Sequence, residues 1–314
     1  MGMLDGKVAI ITGAGRGVGR EEALAMAKEG CNLVINDIGG GASDLDQETK
    51  IADAVVEECK ILGIKAVANY DSVVDFNKAK GMLDQAISEF GKLDIVVNNA
   101  GVLRDRMIFN MTEAEFDTVI AVHLKGTFNL TRHAAEYFRI KGKEDPSLKN
   151  FGRIINTASD SGLYGNVGQS NYGAAKSGIA TFTGIIAREL AKYATVNCVV
   201  PSARTRMTTD LTPKMVEWMN TKTEDGFDVF HPSHFAPLVV YLASDAARNI
   251  NGEVFRAIGD KVWVYRGWRA VKKISNNWNP FTPQQLAERI ESELMKDLPS
   301  KAEGASTPKE IFNP

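Results

Sequence analysis

The sequence predicts an α/β fold: a single doubly wound parallel sheet with helices on both faces, followed by a C-terminal extension. Three observations predict it. Short apolar runs alternate with amphipathic helical stretches, a glycine-rich turn joins the first apolar run to the first helix, and the composition changes after Gly259. Strands and helices that alternate in this way form Rossmann-type sheets, whose ligands bind beyond the carboxyl ends of the strands.

Six apolar runs are predicted to be the strands of this sheet. They are Val8–Ile11, Asn32–Ile35, Lys65–Ala68, Ile95–Val97, Arg153–Ile155 and Thr195–Val200. The first helix is expected to end near Glu29. Gly39–Asp44 and Lys141–Asn150 are rich in glycine or charge and are interpreted as loops. Neither loop is long enough to separate two domains, so residues 1–259 are predicted to form one domain.

Residues 260–314 are predicted to be an addition to that domain: a basic, tryptophan-rich segment, an amphipathic helix and a polar tail. Lys261–Pro280 holds five basic residues, no acidic ones and three of the four tryptophans of the chain. Thr282 and Gln285 form a capping box around Pro283, which predicts the start of the helix. The basic segment can bind the phosphates of coenzyme A, pack on a neighbouring subunit, or be a solvated strand and loop; we favour subunit packing.

Composition favours a small-molecule protein of a reducing compartment. The 314 residues carry 37 basic and 39 acidic side chains, so no strong field points to nucleic acid or to an anionic membrane. Cys31, Cys59 and Cys198 have neither metal-ligand nor disulfide spacing, and no metal is predicted. No apolar run approaches the ~20 residues that span a bilayer. The start lacks the features of a signal peptide, and a cytoplasmic location is predicted.

The segment Thr12–Gly19 predicts a phosphate-binding turn. It follows the first strand directly and opens the first helix, and its glycines let backbone N–H groups approach a pyrophosphate. A glycine-rich turn also occurs for backbone reasons alone, but the strand–turn–helix context favours the functional interpretation. The predicted cofactor contacts in this turn are Gly13, Gly15, Arg16, Gly17, Val18 and Gly19.

Asp37 ends the second strand, where a carboxylate accepts hydrogen bonds from a ribose 2′-hydroxyl and repels a 2′-phosphate. This predicts NAD rather than NADP. The alternative is that Asp37 only caps the following loop. Arg16 leaves NADP open, because an arginine in the turn can meet a phosphate. Asn98–Gly101 ends another strand on the same side of the sheet, so Asn99, Ala100 and Gly101 are predicted cofactor contacts, with a simple polar turn as the alternative.

Tyr172 and Lys176 lie four residues apart in a stretch of small residues that can be helical, which places both side chains on one face. A phenol titrates near ~10, so a base that acts near neutral pH needs about 4 kcal/mol of phenolate stabilisation. A neighbouring ammonium supplies part of it. The spacing alone is common on helix surfaces and gains meaning from the other motifs.

The combination of Thr12–Gly19, Asn98–Gly101, Ser159 and Tyr172 with Lys176 resembles the short-chain dehydrogenase/reductase family over roughly residues 5 to 258. The resemblance implies that Ser159 holds the substrate oxygen, Tyr172 passes the proton, and Lys176 lowers the pKa of the phenol and binds the nicotinamide ribose. It also implies that the adenine lies near Asp71 and Ser72 and the carboxamide near Thr205. Ser161 is a second serine two residues farther on, and the resemblance assigns the role to Ser159 rather than to Ser161.

Two residues depart from the family pattern. His123 stands where most members have an asparagine of a proton relay. Because the pKa of imidazole lies near neutrality, His123 is expected either to relay protons in altered form or to be a plain structural histidine. Ser202 follows Pro201 where a glycine is usual.

Several runs are similar to the (3R)-hydroxyacyl-CoA dehydrogenase part of peroxisomal multifunctional enzyme type 2, a branch also linked to 17β-hydroxysteroid oxidation. They are Asn36–Gly40, the loop Gly41–Lys50, Val122–Leu124, Tyr164–Asn166 and Arg206–Thr208. The resemblance implies NAD-dependent interconversion of a secondary alcohol and a ketone, with a 3-hydroxyacyl-CoA or a bulky alicyclic or steroidal alcohol as substrate. An NADPH-dependent ketone or 3-oxoacyl-thioester reductase and a non-catalytic nicotinamide sensor are the alternatives. A homodimer or homotetramer is predicted.

Overall fold

The computed structural model describes residues 2–39, 51–205, 213–268 and 270–298. Three segments that the sequence singled out lie outside these residues in whole or in large part: the loop Gly41–Lys50, the run Arg206–Thr208 and the polar tail from Pro299.

The described residues contain one eight-stranded sheet with the order β3-β2-β1-β4-β5-β6-β7-β8. The strands are β1 (Val8–Thr12), β2 (Asn32–Asn36), β3 (Ala66–Asn69), β4 (Ile95–Asn98), β5 (Gly152–Thr157), β6 (Ala194–Pro201), β7 (Val254–Ile258) and β8 (Lys261–Tyr265). Strands β1 to β7 pair in parallel, and β8 runs antiparallel to β7. The predicted doubly wound sheet is confirmed.

The helices of the described residues are α1 (Gly17–Lys28), α2 (Ile51–Ile61), α3 (Phe76–Phe90), α4 (Glu113–Ile120), α5 (Gly126–Glu144), α6 (Asp160–Tyr164), α7 (Ser170–Glu189), α8 (Pro213–Met219), α9 (Ala236–Ala243) and α10 (Pro283–Arg289). Two π-helical turns accompany them: Ala121–Lys125 joins α4 to α5, and Ile290–Leu294 follows α10. None of the helices in the described ranges is long and apolar enough to cross a membrane.

Two apolar layers hold the helices against the sheet. On one face, α1, α2 and α9 pack on strand residues such as Ile11 and Ile35. On the other, α3, α5 and α7 pack on residues such as Ile10 and Val96. Since β1 is apolar on both faces, it lies in the centre of the sheet, between β2 and β4. The strand order reverses at this point, which opens a crevice at the carboxyl ends of β1 and β4.

The sheet continues across the boundary that the sequence predicts at Gly259. Gly259 adopts the left-handed conformation (φ 56°) in the turn from β7 to β8. Lys261–Tyr265, near the start of the predicted extension, then form the edge strand β8, with Trp263 half-buried and its neighbour Val262 exposed. Farther on, the capping box of Thr282 and Gln285 is present at the start of α10. No side chain of α10 is buried.

Glu22 is an unusual buried acid on α1. Its side chain is fully buried in the layer that contains Ala23 and Met26, and within the described ranges neither carboxyl oxygen has a hydrogen-bond partner. Burial raises the pKa of Glu22 to about 8. The folded protein therefore holds this group mainly in its neutral form at pH 7.

Candidate active site

The glycines of the turn between β1 and α1 are required by the geometry. Gly13 and Gly17 have φ angles of 64° and 54°, in the left-handed region. A Cβ on Gly13 would lie 2.7 Å from the Cα of Ala100, and one on Gly19 would lie 2.4 Å from the Gly13 carbonyl oxygen. Glycine thus lets the turn and the first turn of α1 approach the end of β4. The resulting cradle fits the pyrophosphate of a dinucleotide.

Most of the predicted cofactor contacts line one cavity at the crevice. They are Gly13, Arg16, Gly17, Val18, Gly19, Asp37, Asp71, Ser72, Asn99, Ala100, Gly101 and Thr205. Gly15 is not among the lining residues. A Cβ on it would lie 2.6 Å from the Ile51 side chain, and its N–H donates a hydrogen bond to Asp37.

Asp37 combines the two interpretations that its position allows. One carboxylate oxygen accepts from the Gly15 N–H at 2.9 Å, and the other accepts from the Gly39 N–H at 2.9 Å, so the side chain caps the following loop. The same carboxylate lines the cavity. Because each carboxylate oxygen accepts more than one hydrogen bond, the cap leaves capacity for a ribose hydroxyl.

The Asn98–Gly101 turn is tied closely to the phosphate-binding turn. The Thr12 hydroxyl accepts from the backbone N–H groups of Asn99 and Ala100, at 3.0 and 3.1 Å. The Asn99 amide donates in return to the carbonyls of Thr12 and Gly13. This segment is therefore a structural brace between β1 and β4 rather than a simple polar turn. The hydroxyl of Thr12 is a contribution that the sequence did not single out.

Ser159, Tyr172 and Lys176 lie together. Ser159 follows β5 and caps α6, with its hydroxyl accepting from the Ser161 N–H at 3.3 Å. That hydroxyl is also close enough to the phenol of Tyr172 to act on its pKa. The ammonium of Lys176, one turn farther along α7, lies 5.6 Å from the centroid of the Tyr172 ring and donates to the Thr157 carbonyl at 2.6 Å.

The second serine, Ser161, forms hydrogen bonds away from the Tyr172 phenol. Its hydroxyl donates to the Gln169 side chain at 2.5 Å and accepts from the Asn166 amide at 2.7 Å. These bonds connect α6 to the start of α7 and leave Ser159 as the serine beside the phenol.

Burial is the largest cause of the pKa shifts of both Tyr172 and Lys176. It raises the pKa of Tyr172 to about 12, against the opposing effect of the Ser159 hydroxyl. It lowers the pKa of Lys176 to about 8, because the ammonium is removed from water. The lowered phenol pKa that the sequence leads us to expect is therefore wrong for these residues alone, because burial outweighs the effects that favour the phenolate. Additional positive charge is needed before Tyr172 can act as a base near neutral pH.

His123 lies in the π-helical turn and packs edge-on against Tyr172, with ring centroids 5.0 Å apart. Its Nε2 lies 2.8 Å from the carbonyl oxygen and 3.0 Å from the N–H nitrogen of Val102, and the tautomer decides which bond forms. Burial and the positive charge of Lys176 lower the pKa of His123 to about 3. The expectation of a pKa near neutrality is wrong, since the ring is taken out of water.

Comparison with known proteins agrees with this geometry. A family model described as short chain dehydrogenase matches residues 7–219. The chain belongs to the short-chain dehydrogenase family. The chain is therefore an NAD(P)-dependent oxidoreductase that acts on CH–OH groups of small molecules and binds a nicotinamide cofactor.

Two relatives and one solved structure illustrate the similarity. Hydroxyacyl-CoA dehydrogenase ChsB1 of Mycobacterium tuberculosis is 42% identical over 289 residues, covering 91% of this chain and 88% of the relative. Peroxisomal multifunctional enzyme type 2 of Drosophila melanogaster is 37% identical over 310 residues, which are 98% of this chain but 47% of the relative. The crystal structure of a short chain dehydrogenase from Mycobacterium avium has a TM-score of 0.82 and 43% identity, and covers 95% of this chain and 98% of that one.

Proposed function

We propose that this short-chain dehydrogenase oxidises a 3-hydroxyacyl-CoA to the 3-oxoacyl-CoA with NAD. The observation that carries the chemistry is the buried Tyr172 phenol, with the Ser159 hydroxyl beside it and the Lys176 ammonium 5.6 Å from the centroid of its ring. A proton donor, a proton acceptor and a fixed positive charge in one buried place are what alcohol oxidation requires. The names of two relatives, a hydroxyacyl-CoA dehydrogenase and a multifunctional enzyme type 2, support the substrate class.

In this mechanism Ser159 orients the substrate hydroxyl and Tyr172, as phenolate, accepts its proton. Lys176 holds the phenolate by charge and would hold the nicotinamide ribose. When bound, the nicotinamide supplies the hydride acceptor and, in its oxidised form, a positive charge that favours the phenolate. The glycine turn would hold the pyrophosphate, Asp37 the adenosine ribose, Asp71 and Ser72 the adenine side, and Thr205 the carboxamide.

Asp37 supports NAD, because a carboxylate in this cavity would repel a ribose 2′-phosphate. Arg16, which lines the same cavity, is the observation that favours the second candidate, an NADPH-dependent ketone or 3-oxoacyl-thioester reductase. The two candidates differ in cofactor and in direction.

A cofactor and substrate panel tests the proposal. Purified protein is assayed at 340 nm with NAD or NADP and a series of 3-hydroxyacyl-CoA thioesters of rising chain length, 17β-hydroxysteroids and small secondary alcohols. We expect NADH formation with hydroxyacyl-CoA thioesters, and a kcat/KM for NAD at least about 100-fold above that for NADP, corresponding to about 2.8 kcal/mol. Activity confined to the reduction of ketones or 3-oxoacyl thioesters with NADPH would establish the second candidate instead.

We also propose a homo-oligomer in which the basic, tryptophan-rich segment packs on a neighbouring subunit. In the single chain, Trp268 and Trp278 are fully exposed, and tryptophan is a typical interface residue. Size-exclusion chromatography with light scattering tests this with the variant Trp268→Ser/Trp278→Ser. A smaller particle is expected, and an unchanged mass would contradict the packing. The predicted cytoplasmic location stays a prediction.

A further inference from the structure

A buried ion pair connects two parts of the site. Nη2 of Arg256, on β7, lies 2.8 Å from Oδ2 of Asp160. The arginine side chain is completely buried and that of the aspartate is 11% exposed. The hydroxyl of Ser202 donates to the same carboxylate oxygen at 2.9 Å and itself lies 3.4 Å from Nη2 of Arg256. Three polar groups from three segments thus meet at one point.

These three segments carry different parts of the proposed machinery. Asp160 directly follows Ser159 and is the first residue of α6. Ser202 follows the last residue of β6 and stands three residues before Thr205, which lines the cofactor cavity. The cluster therefore spans from the substrate-oxygen anchor to the segment at the nicotinamide end. It also explains the departure at position 202, because a glycine has no hydroxyl to donate.

Strand β8 covers the cluster. Trp263 pairs with Arg256 in the β7–β8 register, and its ring lies 5.7 Å from the guanidinium carbon. Tyr265, two residues on, packs edge-on against Tyr164 at the end of α6, with the ring centroids 5.9 Å apart. Within the described ranges, Nε and Nη1 of Arg256 have no hydrogen-bond partner. The guanidinium is thus held by one carboxylate, one hydroxyl and one aromatic face.

Stability alone does not account for such an arrangement. A buried ion pair repays its desolvation poorly, and apolar side chains of similar volume often replace it without loss. Burial also raises the pKa of Asp160, which the charge of Arg256 opposes. A fixed position for the groups that it joins is a benefit that apolar packing would not give.

We propose that Arg256 is a positioning residue that, through Asp160 and Ser202, fixes the Ser159 hydroxyl relative to the nicotinamide-side segment after β6. The inference rests on the proposed dehydrogenase function of Ser159. Arg256 acts by orienting Ser159 and does not itself contact the reacting atoms. Since a displacement of about 1 Å at a reacting centre can cost about 100-fold in rate, loss of the pair should lower kcat without comparable loss of binding.

Three variants separate positioning from folding. Arg256→Met leaves the Asp160 carboxylate buried and unpaired, and Asp160→Leu/Arg256→Met removes both charges. Arg132→Met breaks the exposed Arg132–Glu136 pair on α5 and is the matched control. For each we measure Tm without cofactor, the Kd of NADH by fluorescence, kcat and KM, and hydrogen–deuterium exchange of peptides that cover residues 157–165 and 198–205.

We expect Arg256→Met to lower both Tm and kcat, and the double variant to recover most of the Tm while its kcat stays about 10- to 100-fold below that of the parent enzyme. The Kd of NADH should change less than about threefold, and both peptides should exchange faster in the cofactor-free protein. A double variant with parental kcat and exchange would overturn the inference. A parent protein that oxidises no substrate would refute the proposed function instead, and the exchange of the two peptides would still test whether the pair orders these segments.

Discussion

The ring of His123 packs edge-on against the ring of Tyr172, with centroids 5.0 Å apart. His123 belongs to the π-helical turn between α4 and α5. The contact covers the phenol with an uncharged imidazole, because the pKa of His123 is lowered to about 3. The fixed charge beside the phenol is therefore that of Lys176. A π-helical turn inside a long helix often marks a functional position, and here it places the imidazole against Tyr172, the proposed proton acceptor.

His123→Asn should leave the pH dependence of turnover between pH 5 and 8 unchanged, because a ring with a pKa of about 3 does not titrate in this range. We expect kcat to fall by less than about tenfold, below the range typical of a lost general acid or base. Steady-state rates from pH 5 to 10 check this. If the parent enzyme showed a change of rate centred near pH 6.5 and the variant did not, His123 would titrate during turnover.

The same residue should make the folded state sensitive to acid. Its pKa in the folded protein lies below the ordinary value of 6.5, so the unfolded chain binds the additional proton, and stability is lost as pH falls from about 6.5 towards 3. Between pH 7 and 5 this contributes about 2 kcal/mol. Urea unfolding at both values should show that His123→Asn loses about 2 kcal/mol less than the parent protein. An equal loss in both proteins would contradict the lowered pKa.

Glu22→Gln should stabilise the protein, and the gain should increase as pH rises, whereas the effect of His123 appears as pH falls. The pKa of Glu22 in the folded state, about 8, lies above its ordinary value of 4.5, so stability is greatest below pH 4.5 and is lost as pH rises towards 8. The neutral amide avoids this loss. We expect a gain of up to about 3 kcal/mol at pH 7 and almost none at pH 4. Glu189→Gln, on the exposed surface of α7, is the control and should gain nothing at either pH.

Tyr172→Phe should abolish turnover while NAD binds as before, since only the phenolic oxygen is removed. A loss of at least about 100-fold in kcat is expected for a lost general base. Tyr241→Phe, at an exposed tyrosine, controls for the chemistry of the substitution and should keep full activity. Turnover at the parental rate in Tyr172→Phe would rule out the proposed proton acceptor.

Asp37→Asn should reduce the preference for NAD over NADP by about 10- to 100-fold, which corresponds to about 1.4 to 2.8 kcal/mol. The amide keeps an acceptor for the loop cap but loses the charge that repels a 2′-phosphate. Arg16→Ala in the same background asks whether the arginine holds that phosphate, in which case the NADP gained is lost again. Asp84→Asn, at an exposed pair with Lys80, is the control for the change of charge. An unaltered preference in Asp37→Asn would remove the basis for choosing NAD.

The parts of the fold that the sequence predicts correctly are those with local signals. The apolar run of β1 is contiguous, and the glycines of the turn are needed for the backbone itself, so short windows reveal both. Strand β7 escaped prediction because Arg256 stands in the middle of its five residues and breaks the apolar run. That arginine is buried against Asp160, 96 positions earlier in the chain, and no local pattern reveals a partner at such a distance.

The sequence also does not predict the pKa values of the residues in the site. An isolated imidazole titrates near neutrality, which predicts the same for His123, and the spacing of four residues predicts that Lys176 lowers the pKa of Tyr172. Both expectations leave out desolvation, which depends on how completely the surrounding elements enclose a group. Enclosure is a property of the assembled sheet and helices, so the spacing of Tyr172 and Lys176 predicts their proximity but not their protonation.

The antiparallel edge strand β8 covers the outer side of the parallel strand β7. If the chain were cut after Gly259, β7 would keep β6 as its one partner and would present a row of free N–H and C=O groups beside the buried guanidinium of Arg256. Bare edges of this kind invite β-addition and aggregation. A shortened protein intended to stay dispersed must therefore keep at least Lys261–Tyr265. A fusion partner is better joined beyond α10 than directly after Gly259.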